Sequence, residues 1–499
     1  MNSEPLNYNE LGFLVSSPVL MLARGRQKVK FKINFTASSY EKSKKVFEAW
    51  SQGQTNLAYP SKELKKIIRN AFELFLTDES GWRKIYQFIA KLDHEKQALI
   101  LSFVLLENDY SMVPLDNEIH EGNFESEWPC VKIILNKDAL IYPYKFLWQL
   151  VVKSIVIEAT VSEVTALIFS NTIGELNSSI PFTPFGPMPY PGSYLRVENP
   201  LIVQKNLSSL TLNLEWNGLP KGSNGFKDYY KEYNNDVDNS SFKAVLSTSR
   251  IVDDNNYQES DEAIELFNCK DNSESLISLQ KIEVNLENLD LINEIDPLKN
   301  TITEHNTPLY LTLVQPRMAF GHHIFSEIYS DTALKISRFI KRKLSLPKQP
   351  YTPLLDCLTI NYTNYVKESI SRKKDDYGYD IKLIHLNSFG NIQVFPHPRK
   401  SICFLLPQIR YNGNILVGLN NLQAADLGGT GFNLSYVIHA TTAQIHKPKL
   451  KWDYLNNKKW VFIKSLFIDN PRDGILPSAI ENLSIESDFI INDARDNYI

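Results

Sequence analysis

His322 and His323 are the residues of this chain whose type and spacing come nearest to chemistry, because imidazoles are common zinc ligands. Adjacent side chains point to different sides of a helix or strand, so the pair cannot close on one ion unaided, and no HExxH accompanies it. A helix-start or interface histidine is the better reading. His385, His397, His439 and His446 are scattered over a β-rich region without a cysteine or carboxylate at ligand spacing. Cys130, Cys269, Cys357 and Cys403 lie far apart with no CxxC pair, which argues against zinc and against a dense disulfide framework. Gly428-Gly429-Thr430-Gly431 has the glycines of a phosphate loop, but Phe432 and Asn433 stand where a Lys and a hydroxyl residue are needed. There is no GxSxG elbow. The acidic pairs Asp253-Asp254 and Asp375-Asp376 fall in polar stretches where adjacent carboxylates are ordinarily solvated. The expectation is a protein that is not an enzyme, with no catalytic, cofactor-binding or metal residue and no cofactor.

The elements that would carry these residues are mostly strands. Lys28 to Phe35 alternates, with Val29, Phe31, Ile33 and Phe35 on one face. Ala98 to Leu106, Val131 to Leu135 and Ser154 to Phe169 read as strands, whereas Glu41 to Trp50 and Lys62 to Leu76 mix helical and strand spacing. Pro181 to Gly192 holds five prolines and two glycines in twelve residues, so it can neither pair as a central strand nor run as a helix. Leu207 to Trp216 alternates and closes on the turn Asn217-Gly218. Ile324 to Leu346 has helical apolar spacing on a basic face and stops at Pro347. Leu354 to Tyr362 alternates as a strand. Beyond Ile392 the chain turns strongly β, with short strands expected at Ser401 to Leu406, Ile415 to Leu419, Asn433 to Ala440 and Lys449 to Tyr454.

These signals predict an α+β fold, predominantly β, with several β-sandwich-like modules, a few helices and a long loop-rich insertion. Expected boundaries give a mixed N-terminal module over 1–175, a proline-rich connector and β segment over 176–233, and an acidic, Asn-rich, loop-rich and partly mobile insertion over 234–300. A mixed helix-strand module over 301–390 and a C-terminal β module over 391–499 follow. The 499 residues exceed one core. A net charge of −4 gives no overall basic field to collect nucleic acid, and the Lys-rich runs Lys42 to Lys45 and Arg372 to Lys374 are too short for a phosphate track. No apolar run approaches the roughly 18–20 residues that span a bilayer, and the N-terminus lacks the basic region of a secretory signal. A cytoplasmic protein is expected.

Pro181 to Leu195, PFTPFGPMPYPGSYL, resembles the "PF-x-PFGP-x-P-x-x-GS" signature of large baseplate wedge proteins of extracellular contractile injection systems. These are the antifeeding-prophage type, baseplate J-like, with a more distant likeness to the type VI secretion wedge component. The likeness continues colinearly. Gly12 to Leu20 with Ala23-Arg-Gly25 resembles "GF-x-x-ASP-x-L-x-LAEG", with Arg24 where an acid is usual; Ala71 to Thr77 with Gly81-Trp82 resembles "AF-x-x-x-LTGE-x-GW". Leu210 to Leu219, Phe226 to Tyr230, Phe320-Gly-His322 and Leu346-Pro347 with Gln349 to Pro353 follow in the same order. Leu406-Pro407, Leu416 to Leu422 and Lys451 to Leu455 with Lys459-Trp460 complete it. Gln423 to Asp426 and Gly428 to Phe432 depart from the family's "PGD-x-LSLLFQ" step, and the family chain usually runs further, so a shortened or split member is expected.

The resemblance implies a structural subunit of the baseplate wedge, assembled into a sixfold hetero-oligomer with other wedge subunits and hub or spike proteins, with links toward the sheath. It implies no nucleic acid and no membrane insertion. The competing expectation is a carbohydrate-binding or carbohydrate-active multidomain β protein, with Trp216, Trp452 and Trp460 as sugar-stacking platforms, although strand tryptophans are more often core.

Overall fold

The structure, a computed structural model, describes residues 10–53, 67–250, 263–289, 307–338, 345–370 and 379–408 apart from short gaps within these spans, and five strands between 432 and 483. The chain forms two compact units, Met1–Gln408 and Ile409–Ile499. It is predominantly β, with antiparallel sheets and few helices.

Three sheets build the first unit. The largest has eight strands, in the order Leu279–Glu283, Leu207–Asn217, Leu354–Ser369, Val151–Val164, Arg26–Phe35, Ala98–Leu105 and Phe88–Asp93, with Cys403–Phe404 paired to the end of Val151–Val164. Period-two alternation decides its faces. Val29, Phe31, Ile33 and Phe35 are buried while Arg26, Lys28, Lys30 and Lys32 face outward, and Leu210, Leu212 and Leu214 repeat the pattern.

The second sheet runs Gly390–Phe395, Lys382–Asn387, Gly12–Ser16, Cys130–Leu135, Phe72–Asp78, Gly81–Ile85. Its central strands are buried on both faces. Phe13, Val15, Val131 and Ile133 enter the main core, while Leu14, Cys130, Ile384 and Leu386 enter a smaller one with Leu115 and Phe124. The third sheet runs Glu175–Leu176, Ile168–Asn171, Tyr194–Glu198, Leu309–Gln315, Lys243–Ser247, Ile264–Glu265. Buried faces of all three contribute to one continuous hydrophobic core.

The ambiguous stretches resolve one each way: Glu41 to Trp50 lies in the helix Ala37–Gly53, and the strand Phe72–Asp78 ends the other. Ser154 to Phe169 is two strands in different sheets, Val151–Val164 and Ile168–Asn171, with Glu163 at a φ of 59° just before the first one ends. The helix expected from Ile324 spans Phe325–Arg338.

The described parts of 234–300 hold short strands at Lys243–Ser247, Ile264–Glu265, Asn268–Cys269, Leu276–Ile277 and Leu279–Glu283, and bury Phe242, Leu266 and Phe267. Polar turns mask these isolated anchors in a compositional reading. The eight-stranded sheet also takes strands from both sides of the boundaries expected at 175, 233, 300 and 390. Cross-strand pairing joins residues hundreds of positions apart, whereas composition reports only the local connector.

In the second unit, Phe432–Val437, Ser478–Leu483 and Leu466–Asp469 form a three-stranded sheet, and Asp453–Asn456 pairs with Lys459–Phe462. The strand expected at Ile415 to Leu419 lies outside the described residues.

Candidate functional site

Four of the motif segments, those holding Trp216, Phe226, Phe320 and Tyr351, meet around one aromatic cluster of the first unit. Phe226 begins the short helix Phe226–Tyr229 and is fully buried, with ring centroids of Phe242 at 4.7 Å, Phe267 at 4.8 Å and Tyr351 at 5.4 Å. Phe242 stacks on Phe320 at 4.5 Å, and Trp216 closes on Phe267 at 4.9 Å. Offset and edge-on contacts of this kind add to simple burial because each ring's electropositive edge meets a neighbour's electron-rich face.

A sharp backbone turn positions Phe226. Gly225 sits at φ 54°, where a side chain would be strained and would drive into the Asn239 amide. Asn239 Oδ1 accepts the Phe226 N–H at 2.8 Å, and its Nδ2 donates to Glu274 O at 2.7 Å.

Four tyrosine hydroxyls then tie the cluster to the backbone. Tyr230 donates to Phe320 O at 3.0 Å and accepts the Tyr351 N–H at 3.1 Å. Tyr233 donates to Lys348 O at 2.6 Å, Tyr229 to Gln349 O at 2.9 Å, and Tyr351 to Asn217 O at 2.9 Å. The segment before Pro350 is thereby clamped without a regular ladder. Burial raises the pKa of Tyr229, Tyr230, Tyr233 and Tyr351, so each stays a neutral donor. These phenols hold structure and are poor candidates for proton transfer.

The proline-rich segment is anchored beside this cluster. Phe182 and Leu355 exchange backbone hydrogen bonds at 3.0 and 2.9 Å, Phe182 stacks on Phe169 at 5.2 Å, and Gly192 N–H donates to Leu313 O at 2.8 Å. Phe185 is buried, while Met188 and Tyr190 are exposed. The Ala23-Arg-Gly25 segment is tied to the strand Leu354–Ser369 through Tyr362, whose hydroxyl accepts the Ala23 N–H at 2.8 Å.

The histidine pair diverges as its adjacency demands. His322 Nε2 lies 2.9 Å from Thr352 Oγ1, and burial, then the His323 charge, lowers its pKa, while His323 is exposed. His385 is buried and donates from Nε2 to Phe404 O at 2.9 Å, and His397 is half-buried after the strand Gly390–Phe395. His439, His446, Gly428 to Gly431, Asp253-Asp254 and Asp375-Asp376 lie outside the described residues. Trp216 is 2% exposed and its Nε1 donates to Leu266 O at 2.7 Å, so it offers no face to a sugar. The Trp452 and Trp460 side chains lie outside the described residues.

His120 gave no signal in the sequence, being a lone histidine in a polar stretch. It is 1% exposed; Nδ1 accepts the Asp116 N–H at 3.0 Å and Nε2 donates to Asp78 O at 3.0 Å, with Trp82 edge-on at 5.4 Å. This pins the loop that covers the smaller core. Cys130 lies in that core, its thiol pushed up to about 12 by burial. A polar depression of about 450 Å³ on the same side is lined by Asn117, Phe124, Glu125, Ser126, Glu127, Trp128 and Lys382. Lys382 Nζ there donates to Glu125 O at 2.6 Å. Among the described residues no three metal-ligating side chains converge, and no helix is long and apolar enough to cross a membrane.

Comparison with protein-family models and with curated proteins returns no match.

Proposed function

We propose that the chain is a structural subunit of the baseplate wedge of a phage-tail-like contractile injection system, acting by protein–protein assembly around the hub and spike and linking it toward the sheath. One observation carries the reading. Five of the segments that resemble the wedge signature, around Phe182, Trp216, Phe226, Phe320 and Tyr351, are packed together or directly bonded in one region, and two more, Gly12–Ser16 and Phe72–Asp78, flank one strand of the second sheet. A colinear set of weak motifs that converges in space behaves as the determinant of one scaffold.

The physics suits such a part. A wedge subunit has to hold angles under load, and proline-fixed φ angles together with hydroxyl clamps on irregular backbone lower the freedom of the joints. The exposed Met188 and Tyr190 on that anchored segment are side chains of the kind enriched at protein interfaces. Particle assembly in the cytoplasm follows as part of this proposal.

Co-expression of the full chain with candidate wedge, hub and sheath-linking proteins tests it. Co-purification at fixed stoichiometry and incorporation into sixfold rings or particles seen by microscopy is the expected result. Failure to join any such partner, or turnover of a glycoside panel by the purified chain, would overturn it.

A further inference from the structure

The outward face of the eight-stranded sheet carries a transverse row that only the strand register reveals. Lys91 pairs with Ile100, Ile100 with Lys32, Lys32 with Val156 and Val156 with Lys367. Five adjacent strands thus present Lys, Ile, Lys, Val, Lys side by side. With strands about 4.8 Å apart, successive lysines are about 10 Å apart with one aliphatic side chain between each pair. Lys91 and Lys367 are exposed, and Lys32, Ile100 and Val156 are half-exposed.

The row is flanked by further cations and few acids. Lys28 and Arg26 continue outward on the central strand, and Lys30 is neutralised by Glu158 at 3.0 Å. The other acid beside the row is Asp93, whose carboxyl is held below its usual range by the Lys96 N–H and then by the Lys91 and Lys96 charges. None of Lys32, Lys91 and Lys367 has a salt-bridge partner among the described residues. The cations outnumber the acids along this row, so a partner surface carrying carboxylates is complementary to it.

We propose that this row is a docking surface for an acidic amphipathic helix of a partner protein, laid across the strands. The spacing selects the helix. Residues seven apart on a helix share a face and lie about 10.5 Å apart, whereas residues three or four apart fall about 5 Å along it. Carboxylates at i, i+7 and i+14 meet Lys91, Lys32 and Lys367, and aliphatic residues midway between them meet Ile100 and Val156. The aliphatic positions disfavour nucleic acid, because Ile and Val have no π-face on which a base can stack. The surface goes beyond the wedge reading and stands whether or not the chain enters a baseplate.

The test uses the purified full chain and fluorescein-labelled 18-residue helical peptides, read by anisotropy. One peptide has Glu at i, i+7 and i+14 with Leu at i+4 and i+11; a second has the same composition scrambled. Single-stranded DNA and anionic phosphatidylserine vesicles are the other probes. The expected result is saturable binding of the first peptide, about tenfold weaker for the scramble and about tenfold weaker for Lys32→Glu/Lys367→Glu. The matched surface double variant Lys227→Glu/Lys270→Glu leaves it unchanged, and circular dichroism verifies that each variant folds. Val156→Ser weakens binding at unchanged charge. Equal affinity for the two peptides, tighter binding of DNA or vesicles through the same lysines, or no loss in Lys32→Glu/Lys367→Glu would each overturn the proposal.

Discussion

Replacing Tyr230 by Phe removes one oxygen atom from the middle of the aromatic cluster and leaves the ring in place. That oxygen serves two buried backbone groups, the Phe320 carbonyl at 3.0 Å and the Tyr351 N–H at 3.1 Å, in a side chain with no solvent exposure. Each buried group left unpaired costs about 1–3 kcal/mol, so the substitution should cost about 3 kcal/mol in all, or roughly a hundredfold in the unfolding equilibrium. Tyr233→Phe orphans a single acceptor, Lys348 O, in a half-buried bond and should cost about 1 kcal/mol. Tyr229→Phe releases Gln349 O at an exposed bond, where water replaces the phenol, and should cost below about 0.5 kcal/mol. Urea titration followed by near-ultraviolet circular dichroism measures the three side by side. The order Tyr230, Tyr233, Tyr229 is the expected result. A Tyr230→Phe chain as stable as Tyr229→Phe would refute the view that the buried hydroxyl ties the Phe320 and Tyr351 backbone together.

The same phenol makes a pH prediction with a definite sign. Burial raises the Tyr230 pKa above its ordinary 10.0, so its contribution is fully present below that value and is lost as pH rises beyond it. Wild-type stability should therefore fall more steeply between pH 10 and 12 than that of Tyr230→Phe, in urea titrations at each pH. Cys130, its thiol pushed up to about 12 by burial, should resist iodoacetamide at pH 8 until denaturant is added, while half-buried Cys269 reacts in the native chain; mass spectrometry of the labelled peptides decides this. Gly225→Ala puts a side chain at φ 54° against the Asn239 amide that caps Phe226, and should cost about 1–3 kcal/mol by urea titration. An unchanged midpoint for that variant would show that the turn does not position Phe226.

Strand type was legible wherever one face is buried and the other wet. Val29 to Phe35 and Leu210 to Leu214 alternate because their outward partners are Lys, Thr, Asn and Glu. Where both faces are covered the period is erased: Gly12–Ser16 and Cys130–Leu135 are uniformly buried, and only the second is legible, as the short apolar run Val131 to Leu135. Phe242 and Phe267 escaped because single aromatics among Asn, Asp and Ser look like loop, although both rings are buried and meet edge-on at 5.6 Å. The tyrosine clamp was beyond reach for another reason. Its acceptors are backbone carbonyls near residues 320 and 348, and no residue type marks a carbonyl that lacks a ladder partner.

The motif residues are buried and the candidate docking lysines are exposed or half-exposed, and this separates what each can specify. Trp216, Phe226, Tyr230, Phe320 and Tyr351 face inward, where volume and hydrogen-bond geometry restrict substitution; they define a scaffold. Lys32, Lys91 and Lys367 face outward, where a change of residue leaves packing untouched but alters what the face attracts. A likeness carried by Phe, Tyr, Trp, Pro and Gly therefore reports the frame and says little about its contacts. Partner choice has to be read from the outward rows, and these become rows only after the register has brought residues 32, 91 and 367 alongside one another.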